Sequence, residues 1–85
     1  MEKFILRRDI LFTVDQKQIV IADKSKASSM IINYPDAAVW SVLIENHRRS
    51  KAISILQAIL QKSEPETVNI IDGCLAKWRE SGLIE

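Results

Sequence analysis

Asn33-Tyr34-Pro35-Asp36-Ala37-Ala38-Val39-Trp40 marks the point at which the period of the chain changes. Before it, apolar residues alternate in short bursts, the spacing of half-buried strands. After it they recur at helical spacing as far as Gly82-Leu83-Ile84-Glu85. The junction has the chemistry of a helix start. Asn33 is placed to cap the first helix, Pro35 belongs in a first turn where its missing N–H costs nothing, and Asp36 complements the dipole there. Ala37, Val39, Trp40, Leu43 and Ile44 then supply an apolar face.

Upstream, Ile10 to Val14 reads as a strand with Ile10, Phe12 and Val14 on one face, and Gln18 to Ala22 as a second. The polar Asp15-Gln16-Lys17 joins them as a hairpin, although no Asn-Gly or Asp-Gly fixes the turn type. Asp23 to Ser28 is the clearest loop, and Ser29-Met30-Ile31-Ile32 is a third, β-branched strand. Phe4-Ile5-Leu6 reads equally as a further extended piece or as an arm.

Downstream, the first helix fails at the polar run from Glu45 to Arg49. Ser50 is expected to cap the second, whose stripe is Ala52, Ile53, Leu56, Ile59 and Leu60. Ser63-Glu64-Pro65-Glu66 is the strongest start signal in the chain, a capping box with Pro in the first turn. The third helix runs to about Ser81. Gly82 then serves as a left-handed C-cap and Leu83 folds back as its hydrophobic contact. The expected architecture is one domain over residues 1–85, α+β and winged-helix-like, with a three-stranded antiparallel sheet followed by three helices.

Composition narrows the function classes. With 47% hydrophobic and 27% charged residues the chain is of ordinary globular type. No apolar run approaches the ~18 residues of a membrane span, and the charge that follows Phe4-Ile5-Leu6 argues against a signal peptide. A single cysteine, Cys74, excludes an internal disulfide and fits a reducing cytoplasm. The net charge is only +1, with six Lys/Arg against four Asp/Glu in the first 35 residues and six against seven in the rest. Neither part is basic enough to imply nucleic acid.

Catalytic equipment is missing. His47 is the only histidine and sits in a charged connection, the only glycines are Gly73 and Gly82, and Cys74 lies on an apolar arc. That leaves no zinc set, no phosphate-cradling loop and no paired nucleophile and base, so neither an enzyme nor a cofactor is expected.

Two features suggest binding instead. The third helix carries Val68, Ile70, Ile71, Cys74, Leu75 and Trp78 on an arc of about 160°, wider than the ~100° stripe that faces a core. Either sheet and helices cover it, or Ile70 and Cys74, with Lys77 at the edge, line a groove. The third strand has no blunting charge or proline before Pro35, so its edge is either covered or used to add a partner's strand. The rival reading is a winged-helix DNA-binding transcriptional regulator, whose phosphate contacts would come from His47-Arg48-Arg49 and Lys51. Against it, the helix that would read the groove opens with Glu64 and Glu66, which DNA would repel.

The order of elements resembles that of the PqqD family. The resemblance rests on Asn33…Ala37-Ala38-Val39-Trp40…Leu43, on Ala52…Leu56…Leu60, on Val68…Asp72…Leu75 and on Gly82-Leu83-Ile84, and covers most of the chain from Ile10 onward. It implies a small peptide-recognition element that binds the leader of a ribosomally made precursor peptide and presents it to a modifying enzyme, usually a radical S-adenosylmethionine enzyme. In pyrroloquinoline quinone biosynthesis such a domain is a free-standing chaperone. The family's leader adds to the third strand and packs against the third helix. Carried onto this chain, that implies a peptide site at Ser29, Met30, Ile31 and Ile32 with Ile70, Ile71, Cys74, Lys77 and Trp78. No nucleic acid, membrane or metal partner is implied. An exposed edge and a short hinge also admit a swapped homodimer. Two departures from the family stand out. The loop from Asp23 to Ser28 lacks the glycine relatives often carry, and Glu45-Asn46-His47-Arg48-Arg49 replaces the common Asp-Gly connection.

Overall fold

Ile10–Asp15, Gln18–Asp23 and Ser28–Ile32 form strands β1, β2 and β3 of an antiparallel sheet in the order β1-β2-β3, and helices α1 (Asp36–Ile44), α2 (Arg49–Leu60) and α3 (Glu64–Glu80) follow. This is the α+β architecture expected from the sequence. The computed structural model describes residues 4–15, 17–45 and 47–85.

The register decides what each strand offers. Asp15 faces Gln18 across the β1–β2 turn, and Ile19, Ile21 and Asp23 face Ile32, Met30 and Ser28. The pair that closes a two-residue hairpin turn exchanges hydrogen bonds, and bonded pairs alternate along an antiparallel ladder. Alternation therefore directs the backbone groups of Ile19, Ile21 and Asp23 toward β3, where Ser28, Met30 and Ile32 receive them. The N–H and C=O of Ser29 and Ile31 are left pointing off the open edge of the sheet.

Ile10, Ile19, Ile21 and Ile32 sit at 1–6% exposure beneath the helices. Val14, expected on the same face, is 56% exposed, because the helices do not reach the turn end of β1. The β2–β3 turn is held by Asp23, whose carboxylate accepts from the Ser25 N–H at 3.0 Å and the Ser25 hydroxyl at 2.6 Å. Those bonds hold the Asp23 carboxyl below its usual range, the hydroxyl contributing most. Ala27 adopts a left-handed φ of +50° in this turn, the conformation a glycine takes without cost.

Two expected caps move. Pro35, not Asn33, is the N-cap residue of α1, and no side chain caps it. The Asn33 carbonyl still accepts from the Ala37 N–H at 2.9 Å, but its side chain is drawn to Gln18, whose Nε2 donates to Oδ1 at 3.1 Å. Arg48, not Ser50, precedes α2, again without a side-chain cap, and Ser50 lies inside the first turn. On α2 the buried residues are Ala52, Ile53, Leu56 and Leu60, whereas Ile59 is 44% exposed.

Helix α3 follows its sequence signals. The Ser63 hydroxyl accepts from the Glu66 N–H at 3.3 Å, and the Glu66 carboxylate accepts from the Ser63 N–H at 3.3 Å, a complete capping box. At the other end Gly82 has φ +80°, and the Leu83 N–H donates to the Trp78 carbonyl at 2.9 Å. Leu83 is thereby turned back into the core at 3% exposure.

The choice left open for Phe4-Ile5-Leu6 is settled in favour of an extended piece. Leu6 bridges Ile84, the Arg7 N–H donates to the Leu83 carbonyl at 3.2 Å, and the Glu85 N–H donates to the Ile5 carbonyl at 2.8 Å. Phe4 thereby reaches an edge-to-face aromatic cluster. Its ring lies 5.1 Å from Trp40 and 5.9 Å from Trp78, which are themselves 5.1 Å apart.

Candidate functional site

Between β3 and the C-terminal turns of α3 runs a groove. Its main hollow, about 370 Å3, is bounded by Met30, Ile31 and Ile32 on the strand side and by Lys77, Trp78 and Ser81 on the helix side. The chain reversal Asn33-Tyr34-Pro35-Asp36 closes one end. Toward the start of β3 a smaller hollow of about 70 Å3 continues past Ser28, Ser29 and Met30 to Lys26 and Leu83.

The strand wall is accessible. Every residue from Ser28 to Ile31 is exposed, Met30 at 40% and Ile31 at 55%, and only Ile32 turns fully inward. The free N–H and C=O groups of Ser29 and Ile31 lie along this wall, spaced to receive another extended backbone.

The helix wall differs. Of the α3 residues singled out in the sequence, Ile71, Cys74 and Trp78 are 1%, 3% and 1% exposed, and Ile70 is half-buried against the core. Most of the wide apolar arc is thus covered by the chain itself. Trp78 borders the groove, Ile71 and Cys74 are buried, and Lys77 is the α3 member of the set that is well exposed. Tyr34, Pro35, Asp36 and Ser81 border the groove without having been singled out for it in the sequence.

Asp36 organises the closed end. Its carboxylate is paired with the Lys77 ammonium, joining the start of α1 to the last turns of α3. The hydrogen bond to Asp36 is the main cause of a raised Lys77 pKa. Burial pushes the Cys74 thiol up to about 12, and the neighbouring Asp36 carboxylate pushes in the same direction. A thiol so held is a neutral packing group, not a nucleophile.

Among the described residues no three metal-capable side chains lie together. The His47 Nε2 lies 3.8 Å from the Glu45 carboxylate. No helix among the described residues is long and apolar enough to cross a membrane. Another hollow, about 610 Å3 near Arg7, Arg8 and Lys26, is also lined by Asp9, Asp23 and Glu85. Its opposing charges give it no net sign, whereas the β3–α3 groove sets the free Ser29 and Ile31 backbone groups beside apolar side chains, so that groove is the better candidate for binding.

No protein-family model and no curated protein matches the sequence. Solved structures do match the fold. TbiB1 in complex with the TbiA(beta) leader peptide superimposes with a TM-score of 0.84 at 14% identity, over 95% of this chain and 94% of that one. Lasso peptide synthetase B1 complexed with the leader peptide gives 0.85 at 17% identity, over 99% of both chains. The chain shares the fold of these proteins over nearly its whole length.

Proposed function

We propose that this chain is a PqqD-like recognition domain that binds the leader of a ribosomally made precursor peptide by adding it as a strand to β3. It then presents that peptide to a modifying enzyme and performs no chemical step itself. The observation that carries this reading is the open β3 edge, with the Ser29 and Ile31 backbone groups free beside an apolar groove. An extended peptide satisfies those groups in alternation, and the groove takes side chains from one face of it. The sequence resemblance to the PqqD family supports the same assignment. So does a whole-length fold shared with two proteins whose structures are described with a leader peptide bound. The proposed site is Ser29, Met30, Ile31 and Ile32 with Lys77 and the groove edge of Trp78, backed by Ile70, Ile71 and Cys74. The partner is a radical S-adenosylmethionine enzyme, as in pyrroloquinoline quinone biosynthesis, or another modifying enzyme working in the cytoplasm.

NMR titration with a candidate leader encoded beside the gene tests this. Shifts are expected at Ser29 to Ile32 and at Lys77 and Trp78. Shifts confined to His47 through Lys51 would overturn it. A DNA-binding role predicts salt-sensitive retardation of random duplex that is lost in Arg48→Ala/Arg49→Ala. The exposed Glu64 and Glu66 in the first turn of α3 oppose that role.

A further inference from the structure

A further hollow, of about 400 Å3, also has Tyr34 in its lining. Ile19, Tyr34, Ile59 and the small Ala37 and Ala38 line it, and among the described residues that bound it Lys17 is the charged one. Three large apolar side chains are left in water in this region. Tyr34 is 53% exposed, Ile59 44%, and Val14, the strand partner of Ile19, 56%. Singly exposed apolar residues are ordinary, but a cluster around a hollow marks a surface that something else covers.

We infer that this hollow seats an apolar side chain from the stretch of the bound leader that runs on past Ile32. The inference rests on the leader reading above. Adjacency identifies the occupant, because Tyr34, in the reversal that closes the β3–α3 groove, borders this hollow as well. A peptide paired with β3 loses its backbone partners at Ile32, where the chain reverses into α1. Its next residues pass Tyr34, and the first surface they meet is apolar with small side chains beneath. The leader is therefore held twice, by backbone pairing at Ser29 and Ile31, which is tolerant of sequence, and by an aliphatic or aromatic anchor over Ala37, Ala38 and Ile59, which is selective.

The test uses the intact chain and a phage-displayed library of random 20-residue peptides. Selected binders are synthesised, and their affinities measured by fluorescence anisotropy for wild type, Ile31→Pro, Ala38→Glu and Ile59→Asp. Ile31→Pro is expected to abolish binding. Ala38→Glu and Ile59→Asp are each expected to weaken it about tenfold or more, the loss of one buried apolar side chain. Removing the apolar flanking residue from the peptide should cost wild type a similar factor and make binding insensitive to Ala38→Glu. Ile59 is a surface residue, so Ile59→Asp reads the hollow even where Ala38→Glu perturbs folding. Full affinity on both hollow variants, with Ile31→Pro still disruptive, would overturn the second site and leave strand addition standing. Indifference to Ile31→Pro, or no enriched peptide at all, would overturn the leader reading and this inference together. A wild-type dimer that Ala38→Glu dissociates without affecting peptide affinity would make the hollow a contact between copies of the chain, which also overturns it.

Discussion

The two walls of the groove are made on opposite principles. On the strand side, four successive residues from Ser28 to Ile31 are exposed, and what they offer a ligand is backbone. On the helix side, Ile71, Cys74, Leu75 and Trp78 have at most 3% of their surface exposed, and what they contribute is rigidity. The difference separates two kinds of importance. Damage to the helix wall should be read in stability, and damage to the strand wall in binding.

The largest effect is expected at the helix wall. Trp78→Ala empties a site ringed by Trp40 and Phe4 and should cost about 3–5 kcal/mol, a large fraction of the stability of a domain this size. Urea unfolding measures it. A variant that keeps its stability but loses peptide would mean that Trp78 is chiefly a recognition residue, and the contrast between the walls would fail. Cys74→Asp is expected to be nearly as severe, on the order of 3 kcal/mol or more. It buries a carboxylate beside that of Asp36, whereas Cys74→Ala keeps the site neutral and should stay folded.

At the strand wall the pattern should invert. The register leaves the Ile31 N–H outside the β2–β3 ladder, and proline is tolerated on an edge strand where its missing donor faces solvent. Ile31→Pro should therefore shift stability by less than about 1 kcal/mol while removing leader binding in an isothermal titration. Met30→Pro, one residue away, deletes a donor to β2 and should destabilise the sheet itself. Equal stability losses in the two variants would show that the assignment of the free edge groups is wrong.

The smallest effects belong to the Asp36–Lys77 pair. Lys77 stands at the groove rim, so Lys77→Glu should change the association rate by a few-fold and in a salt-dependent way, with little change in dissociation. Its pKa is raised above the ordinary value of 10.5, so the pair's stabilisation is complete at neutral pH and is lost as pH rises through the raised pKa. Thermal melts of Lys77→Met should lack that alkaline decline, and an unchanged pH profile would show that the pair adds nothing to stability.

The candidate site was only partly legible. Ser29 to Ile32 stood out because an unblunted edge is visible in a linear sequence. The helix half was blurred because a wide apolar arc does not say what covers it. One covering piece, the extended segment at Phe4 to Leu6, comes from the far end of the chain. Asp36 read as a helix-dipole residue, and nothing local linked it to a lysine 41 positions away. Asn33 looked like a cap because the local pattern is that of a cap, and a long-range hydrogen bond from Gln18 captured its side chain instead. The missing glycine in the β2–β3 turn did not remove the left-handed residue. Ala27 adopts that conformation in its place.

By itself the sequence determined the element order, the change of period at Asn33 to Trp40, the capping box at Ser63 and the glycine stop at Gly82. Each is governed by residues within one or two turns of one another, where backbone sterics and local hydrogen bonds dominate. Only the tertiary structure decided which faces stay open. It placed the Ser29 and Ile31 backbone groups on a free edge, buried Cys74 beside Asp36, paired Asp36 with Lys77 and left a hollow beside Tyr34. Exposure is a property of what packs on a residue, and in this fold the packing partners are tens of residues away in the chain.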